Sequence, residues 1–471
     1  MSRKLNPLAK ASALYLISTI IGQGITFLGM MVFTRLMSQT DYGIYSTYYA
    51  YVSILVVFVG ANLYVPLNNA YIDHADRVHA YRKSVLMLST LIMGGIALVA
   101  LVIRGWLFPE LTPYLIIVGI LHAYGFFIVN YRMYSANMET DYKKKSALLI
   151  WPYVLQFGFG LVFVLLFPEM SFPARATGSS LGLISCGAIA YIEMMRSEGK
   201  LFVATDWKYA LKISVPSMAM SVSYMLMQQC DKAMITEMCS ADDTAVYSVL
   251  YYLGYALIVV NQAVGAVREA WVYRQLGKGK LEGVKPLQKW YLFLMAVLAT
   301  GVLMLAPEVI RLLVPENYWE YGYVAPFVTA ACMMVLYGFY MEIAGFYKRN
   351  TQISICVMTA AAINIGLNVV LIPILGAVVA AYTTVVAYAV LMVLSYLIVR
   401  KEAKGAYSLW VFLAFGVYIC CAGGIYVTFC ERILVRYAIF GVILLGAMTF
   451  AFIKRNVWIP MLIKRGSSAE A

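Results

Sequence analysis

Apolar runs separated by short polar connectors repeat along the whole chain. At about 20 apolar residues per bilayer-spanning helix, fourteen runs begin near Ala11, Gly43, Ser84, Pro113, Ala147, Ala176, Ile213, Thr244, Trp290, Val324, Ile353, Ala377, Leu409 and Tyr437. The pattern predicts an all-α polytopic membrane protein with about 14 transmembrane helices. Two of the runs carry a polar stripe at helical spacing. In the seventh, Ser217, Ser221, Tyr224, Gln228 and then Asp231 or Lys232 recur every three or four residues, which puts them on one face. In the first, Tyr15, Thr19, Gln23 and Thr26 do the same, and Thr34 follows eight residues on. A charged side chain at the bilayer centre costs about 3 kcal/mol or more, so such a stripe is expected to face protein or a water-filled cavity.

The chain also repeats itself. Asp41 to Tyr49, DYGIYSTYY, opens the second helix, and Asp243 to Tyr251, DTAVYSVLY, opens the eighth, 202 residues later. Asp41 matches Asp243, Tyr45 matches Tyr247, Ser46 matches Ser248 and Tyr49 matches Tyr251. An even number of helices per copy gives both copies one orientation, related by an axis along the membrane normal. The expected division is a six-helix bundle over residues 1–200, a second over 201–405, and helices 13 and 14 with a tail over 406–471.

Composition changes the picture in two places. With 62% hydrophobic and 13% charged residues, the chain is far from the soluble norm of about 25% charged. Its net charge of +13 could indicate nucleic acid, but the basic residues sit in the connectors, where they set topology. With the amino terminus inside, the cytoplasmic segments hold 28 of them. The outer turns hold six, Arg35, Arg104, Arg175, Arg311, Arg432 and Arg436, and Arg132 and Lys232 fall inside helices. Both termini are therefore expected on the cytoplasmic side, with no nucleic-acid partner. The amino-terminal run lacks a small-residue cleavage site and is read as a retained first helix.

Candidate chemistry is sparse. The eight cysteines lack metal-ligand spacing, so neither a disulfide framework, a metal site nor another cofactor is expected. The connection from Arg268 to Lys289 contains GKGK without the spacing of a phosphate loop. The longest outer connection, Val309 to Tyr323, is aromatic-rich and short. No enzyme activity is expected from connectors of this size.

Arg35 to Ser46, RLMSQTDYGIYS, resembles the first outer turn of the bacterial polysaccharide transporter family, the flippases of O-antigen and capsule repeat units. VPSM at Val215 and the Asp231–Lys232 pair resemble that family's proline near the helix start and its acid–base pair further on. The family stands with multidrug extrusion transporters and lipid II flippases in one superfamily. Here Gly22 to Thr34 of the first helix holds none of the arginines of lipid II flippases, and the helix lacks the carboxylate found in many multidrug transporters.

The resemblance implies a substrate with a pyrophosphate, a glycan and a polyprenyl tail, moved to the outer leaflet of the bacterial cytoplasmic membrane by alternating access. Lys232, Arg35, Arg132 and Arg268 are then the candidate cations. The sugar-facing candidates are Gln23, Gln228, Tyr45, Tyr224, Tyr251, Tyr255, Asn261 and Gln262. Asp231, Glu193 and Glu342 are candidates for a coupling proton or sodium ion. Each has a plainer reading: Asp231 neutralising Lys232, cations snorkelling outward, amides bonding between helices, and His122 packing within the fourth helix. The implied partners are the lipid-linked oligosaccharide, membrane lipid and glycan-assembly proteins. A cation-coupled exporter of small amphipathic compounds is the alternative. A membrane-embedded glycan polymerase or glycosyltransferase would need a larger loop than any present.

Overall fold

The computed structural model describes residues 7–107, 111–279 and 284–453. Apart from single 3-10 turns, every element in them is an α-helix: α1 (Pro7–Leu36), α2 (Gln39–Val59), α3 (Val65–Asp73), α4 (Val78–Leu107), α5 (Pro113–Met138), α6 (Tyr142–Leu166), α7 (Ser171–Met195), α8 (Ala204–Met238), α9 (Ala241–Gly277), α10 (Val284–Leu313), α11 (Val324–Phe346), α12 (Asn350–Leu375), α13 (Val379–Ala406), α14 (Leu409–Phe429) and α15 (Ile433–Ile453). Among the described residues, 14 helices are long and apolar enough to cross a membrane. The exception is α3, nine residues with Pro66 in its first turn. It follows a break at the end of α2 that the apolar pattern does not mark. Helix α9 also departs from expectation. It stays helical past Arg268 to Gly277, so the connection before α10 is shorter than the sequence suggests.

Local chemistry sets the helix ends. Ser38, Thr112 and Asp141 accept the backbone N–H of Asp41, Leu115 and Lys144, each satisfying a donor the helix start leaves open. At the other end of α2, Ala61 (φ 43°) and Asn62 (φ 55°) are left-handed, a conformation costly for alanine and tolerable for asparagine. The turn directs the Asn62 amide to the Ser217 and Ser221 hydroxyls, at 2.9 and 2.8 Å. Part of the α8 stripe thus faces protein. The α1 hydroxyls solve the same problem locally: Thr19, Thr26 and Thr34 donate to carbonyls of Tyr15, Gly22 and Met31 in their own helix.

The helices form two compact units, Met1–Ser248 with Val357–Ala377, and Val249–Cys356 with Val378–Ala471. In the first, α7 packs closely on α5 and α6, and α2 on α8. The α6–α7 approach depends on Gly178 and Gly182, four apart in α7, where an added Cβ would strike the backbone of Phe159 and Leu155. Small residues at this spacing let helix backbones touch where lipid gives no hydrophobic drive to association. In the second unit, α11 lies on α13 and α14. Helix α15 is held by its one buried residue, Arg436, which forks onto Glu308 of α10 (2.5 and 2.9 Å) and reaches the Met304 carbonyl.

Gly182→Leu should force α7 off α6. Overpacking of this kind costs about 1–3 kcal/mol, so the detergent-solubilised protein should melt several degrees below wild type. Equal melting temperatures would show that the two backbones are not in the contact described.

Candidate functional site

In the first unit the Asp231 carboxylate of α8 lies 2% exposed. Tyr247 of α9 donates to one oxygen at 2.5 Å and the Asn368 amide of α12 to the other at 2.7 Å. The Cys230 thiol points between Asp231 and the Asn364 carbonyl oxygen, at 3.8 and 3.6 Å. Asn364 and Asn368 are fully buried, and the Asn364 amide nitrogen has no acceptor. One carboxylate, two amides, a phenol and a thiol thus form a polar cluster inside an apolar bundle. Tyr247 is the repeat partner of Tyr45, yet it was not among the sequence candidates, nor were the two asparagines. The available signal was their spacing, four apart in an otherwise apolar helix.

The repeated stretches have a local physical cause. Ser38 accepts from the Asp41 N–H at 3.1 Å. Its counterpart Ser240 accepts from the Asp243 N–H at 3.0 Å and donates to the Asp243 carboxylate at 2.6 Å. Both are N-caps with an acid three residues on. The two capped starts also meet. Thr40 donates to Asp242 at 2.6 Å, and a Cβ on Gly43 would overlap the Ala241 carbonyl. Deeper in, Thr47, Thr236 and Thr244 form a hydroxyl chain at 2.5 and 2.7 Å.

Arg132 and Glu193 come together, but on each other. Arg132 bridges Glu139 and Glu193 at 3.0 Å each, Arg82 adds a 2.7 Å contact to Glu139, and Lys144 reaches Glu193 at 2.5 Å. Tyr71 of α3 and Ser135 complete the shell of Glu139 at 2.8 and 2.9 Å. Glu139 caps α5, outside the spanning segment. Burial by itself would raise its carboxyl, but Tyr71, Arg132, Ser135 and Arg82 outweigh that and hold it at about 2 instead of 4.5. The network joins α3, α4, α5, α6 and α7. Arg132 and Ser135 are local to Glu139, but Tyr71, Arg82 and Glu193 reach the network from distant parts of the sequence, which only the fold brings together.

In the second unit, Arg268 donates twice to Glu342 of α11, at 2.8 Å from Nε and 2.7 Å from Nη2. Tyr407 holds the other carboxylate oxygen at 3.2 Å. The guanidinium lies over the rings of Phe339 and Tyr291, 4.1 and 4.5 Å from their centroids, and the Tyr291 hydroxyl donates to Asn261 at 2.6 Å. The structure therefore commits Arg268, Glu342 and Asn261 to partners of their own, as it does Arg132 and Glu193. Of these five, the four charged groups stand in ion pairs, while Asn261 is engaged through its carbonyl oxygen.

The remaining candidates are distributed along the helices. Lys232 is half-buried, with Nζ donating to Gln229 at 3.1 Å. Arg35 is exposed and donates to the Met31 carbonyl at 2.7 Å. Gln23, Tyr224 and Gln228 are half-buried, and Gln262 is exposed. Tyr45 is buried beside Ser179, its hydroxyl 3.4 Å from Oγ. Tyr251 and Tyr255 stack at 6.0 Å, with Phe327 edge-on to Tyr251.

Two predictions follow from the paired charges. Because the folded-state value of Glu139 is depressed, its contribution to stability is complete above about pH 4.5 and is lost as pH falls toward 2. Glu139→Gln should cost roughly 3 kcal/mol at neutral pH, with the gap in melting temperature to wild type closing below pH 4; a pH-independent gap would contradict this. Glu342→Gln strands the buried Arg268 and should cost about 3–5 kcal/mol, measured as lost folded protein after solubilisation.

Comparison with known proteins then gives a consistent result. No curated protein matches the sequence at a significant level. Among solved structures, the lipid II flippase MurJ in an inward closed conformation shares the fold with TM-score 0.71 at 14% identity, over 94% of this chain and 99% of that one. An outward-facing multidrug resistance MATE family transporter of the MOP superfamily aligns with TM-score 0.57 at 15% identity, over 85% and 97%. An inward-facing one gives 0.55 at 14%, over 83% and 98%. Residues 8–268 match the family described as polysaccharide biosynthesis protein, more than half the chain. As the resemblance of Arg35 to Ser46 implied, this multi-pass membrane protein belongs to the polysaccharide biosynthesis protein family.

Proposed function

We propose that the protein is a flippase, not an enzyme, moving polyprenyl-pyrophosphate-linked oligosaccharide repeat units from the inner to the outer leaflet of the bacterial cytoplasmic membrane by alternating access. The observation that carries this reading is the combination of a polysaccharide-biosynthesis family match with a fourteen-span fold of the lipid II flippase kind. A polymer-assembly family needs its lipid-linked intermediates on the far side of the bilayer, and a fold made almost wholly of spanning helices has its chemistry within the membrane. Both termini are taken as cytoplasmic from the basic connectors. The two repeated halves, residues 1–200 and 201–405, are taken as the moving bundles, with 406–471 outside the repeat. Glycan-assembly proteins would be the partners that supply and consume the substrate.

Within this reading Lys232 is the first cation for the pyrophosphate and Arg35 the second. Arg132 and Arg268, being carboxylate-paired, would join only if their pairs exchange during transport. Gln23, Tyr45, Tyr224, Gln228, Tyr251, Tyr255, Asn261 and Gln262 supply amide, phenol and ring contacts to sugars. Asp231 is the coupling carboxylate, since its amide and hydroxyl neighbours offer oxygen ligands to a sodium ion and hydrogen-bond partners to a protonated acid. Glu193 and Glu342 are weaker claimants because arginines already hold them.

The multidrug transporter matches support a second reading, a cation-coupled exporter of small amphipathic compounds. Purified protein in vesicles separates the two. Headgroups of a fluorescent polyprenyl-pyrophosphate oligosaccharide should become accessible across the bilayer; accessibility unchanged by the protein, with ion-driven efflux of a soluble dye, would establish the exporter instead. Lys232→Ala should slow flipping about tenfold, the value of one charge-assisted hydrogen bond, and Tyr251→Phe far less. Asp231→Asn should leave lipid binding intact while flipping loses its response to an imposed proton or sodium gradient; a retained response would take Asp231 off the coupling path.

A further inference from the structure

Arg175 is the basic residue whose surroundings differ in kind from those of the other half-buried and buried arginines. Arg82, Arg132, Arg268, Arg349 and Arg436 each meet a carboxylate. Arg175 meets none among the described residues. It stands in the second turn of α7, where the helix dipole opposes a cation. Three aromatic rings hold it there. Its guanidinium carbon lies 3.8 Å from the ring centroid of Tyr45, 4.1 Å from Phe33 and 4.8 Å from Tyr42.

Rings engage the face of a guanidinium and leave its edge for hydrogen bonds. At that edge one N–H points to the Met37 sulfur at 3.6 Å, and the Tyr42 hydroxyl is a second partner. The guanidinium has five N–H donors, so others remain. They are not enclosed: the buried polar atoms without a partner include Nε of Arg82, Arg132 and Arg436 and Nη1 of Arg268, but no atom of Arg175. Ser171, one turn before Arg175, donates to one oxygen of the Asp41 carboxylate, and among the described residues no ion pair joins that carboxylate to Arg175. What results is a cation held in plane by rings, without a carboxylate partner among the described residues, with part of its donor edge open. That geometry matches an oxyanion presenting two oxygens.

We propose that Arg175, braced by Phe33, Tyr42 and Tyr45, is an anion-binding subsite for the phosphate of a lipid-linked saccharide, at the end of the first unit where α1 ends and α2 and α7 begin. The choice of a lipid-borne phosphate rests on the flippase reading above; the anion site itself does not. The rings beside it suit the same ligand, because Tyr45 stacks on Tyr49 at 6.2 Å and offers sugar-compatible surface next to the charge.

Native mass spectrometry of the full-length protein in detergent tests this with a short polyprenyl pyrophosphate, the matching polyprenol and inorganic pyrophosphate, on wild type, Arg175→Gln and Arg175→Lys. The glutamine variant should bind the lipid pyrophosphate about tenfold more weakly, and the lysine variant should fall between, since charge without the planar fork recovers part of the contact. All three should bind polyprenol alike. Equal affinity of wild type and Arg175→Gln for the lipid pyrophosphate overturns the proposal. So does a parallel loss of polyprenol binding, the mark of an arginine that only supports the fold. Inorganic pyrophosphate competing as well as the lipid form overturns the lipid assignment. Wild-type vesicles that fail to flip a lipid-linked saccharide, while Arg175-dependent binding persists, remove the transport reading and leave the anion site supported.

Discussion

A charge inside an apolar helix bundle must be met by an opposite charge or by oriented dipoles, because lipid offers neither. This constraint organises the polar interior. Arg77 forks onto Asp206, Arg132 onto Glu139 and Glu193, Arg268 onto Glu342, and Arg436 onto Glu308. Apart from Arg132–Glu139, which lies within α5 and its cap, these pairs join different elements, so the same contacts that neutralise charge also fix helix neighbours. A buried pair adds little net stability over well-packed apolar groups, yet breaking one is costly. The ion pairs therefore specify which helices meet more than they strengthen the meeting.

That is also why half of the picture was legible in the sequence and half was not. Span number follows from the length of apolar runs, a property of about 20 consecutive residues, and the described residues hold fourteen helices of that length and apolarity. The pairings are not local. Arg268 and Glu342 lie 74 residues apart, Arg77 and Asp206 129, and no periodicity links them. The ion pairs of Arg132 and Arg268 could not be read in the same way, because an arginine in or beside an apolar run shows its cost and hides its partner. The short helix α3 was missed for a different reason. The chain breaks at Ala61 and Asn62, and of these only the asparagine belongs to a residue type that favours left-handed geometry.

The repeated DYGIYSTYY and DTAVYSVLY stretches gain a cause that is independent of any duplicated bundle. Each follows a serine cap, Ser38 or Ser240, with its acid at the third helical position. Capping chemistry selects serine and aspartate wherever a helix starts after a tight turn, so this part of the match reports similar helix starts. The tyrosines are what diverge. Tyr45 lies against Ser179 and under Arg175, whereas Tyr247 donates to Asp231. One sequence device thus presents a phenol to a cation in one place and to a carboxylate in the other.

The same contrast separates the carboxylates. Glu139, Glu342 and Glu308 are held by guanidinium groups, whose N–H donors can only stabilise the ionised acid and cannot turn to accept a proton or ligate a cation. Asp231 is surrounded by a phenol, two amides and a thiol, groups that carry acceptor as well as donor capacity. Amides and hydroxyls can reorient around a carboxylate that gains a proton or a monovalent ion, so the change of charge need not leave a stranded arginine behind. In the flippase proposed above, this shell of reorientable dipoles is the feature that suits Asp231 to coupling.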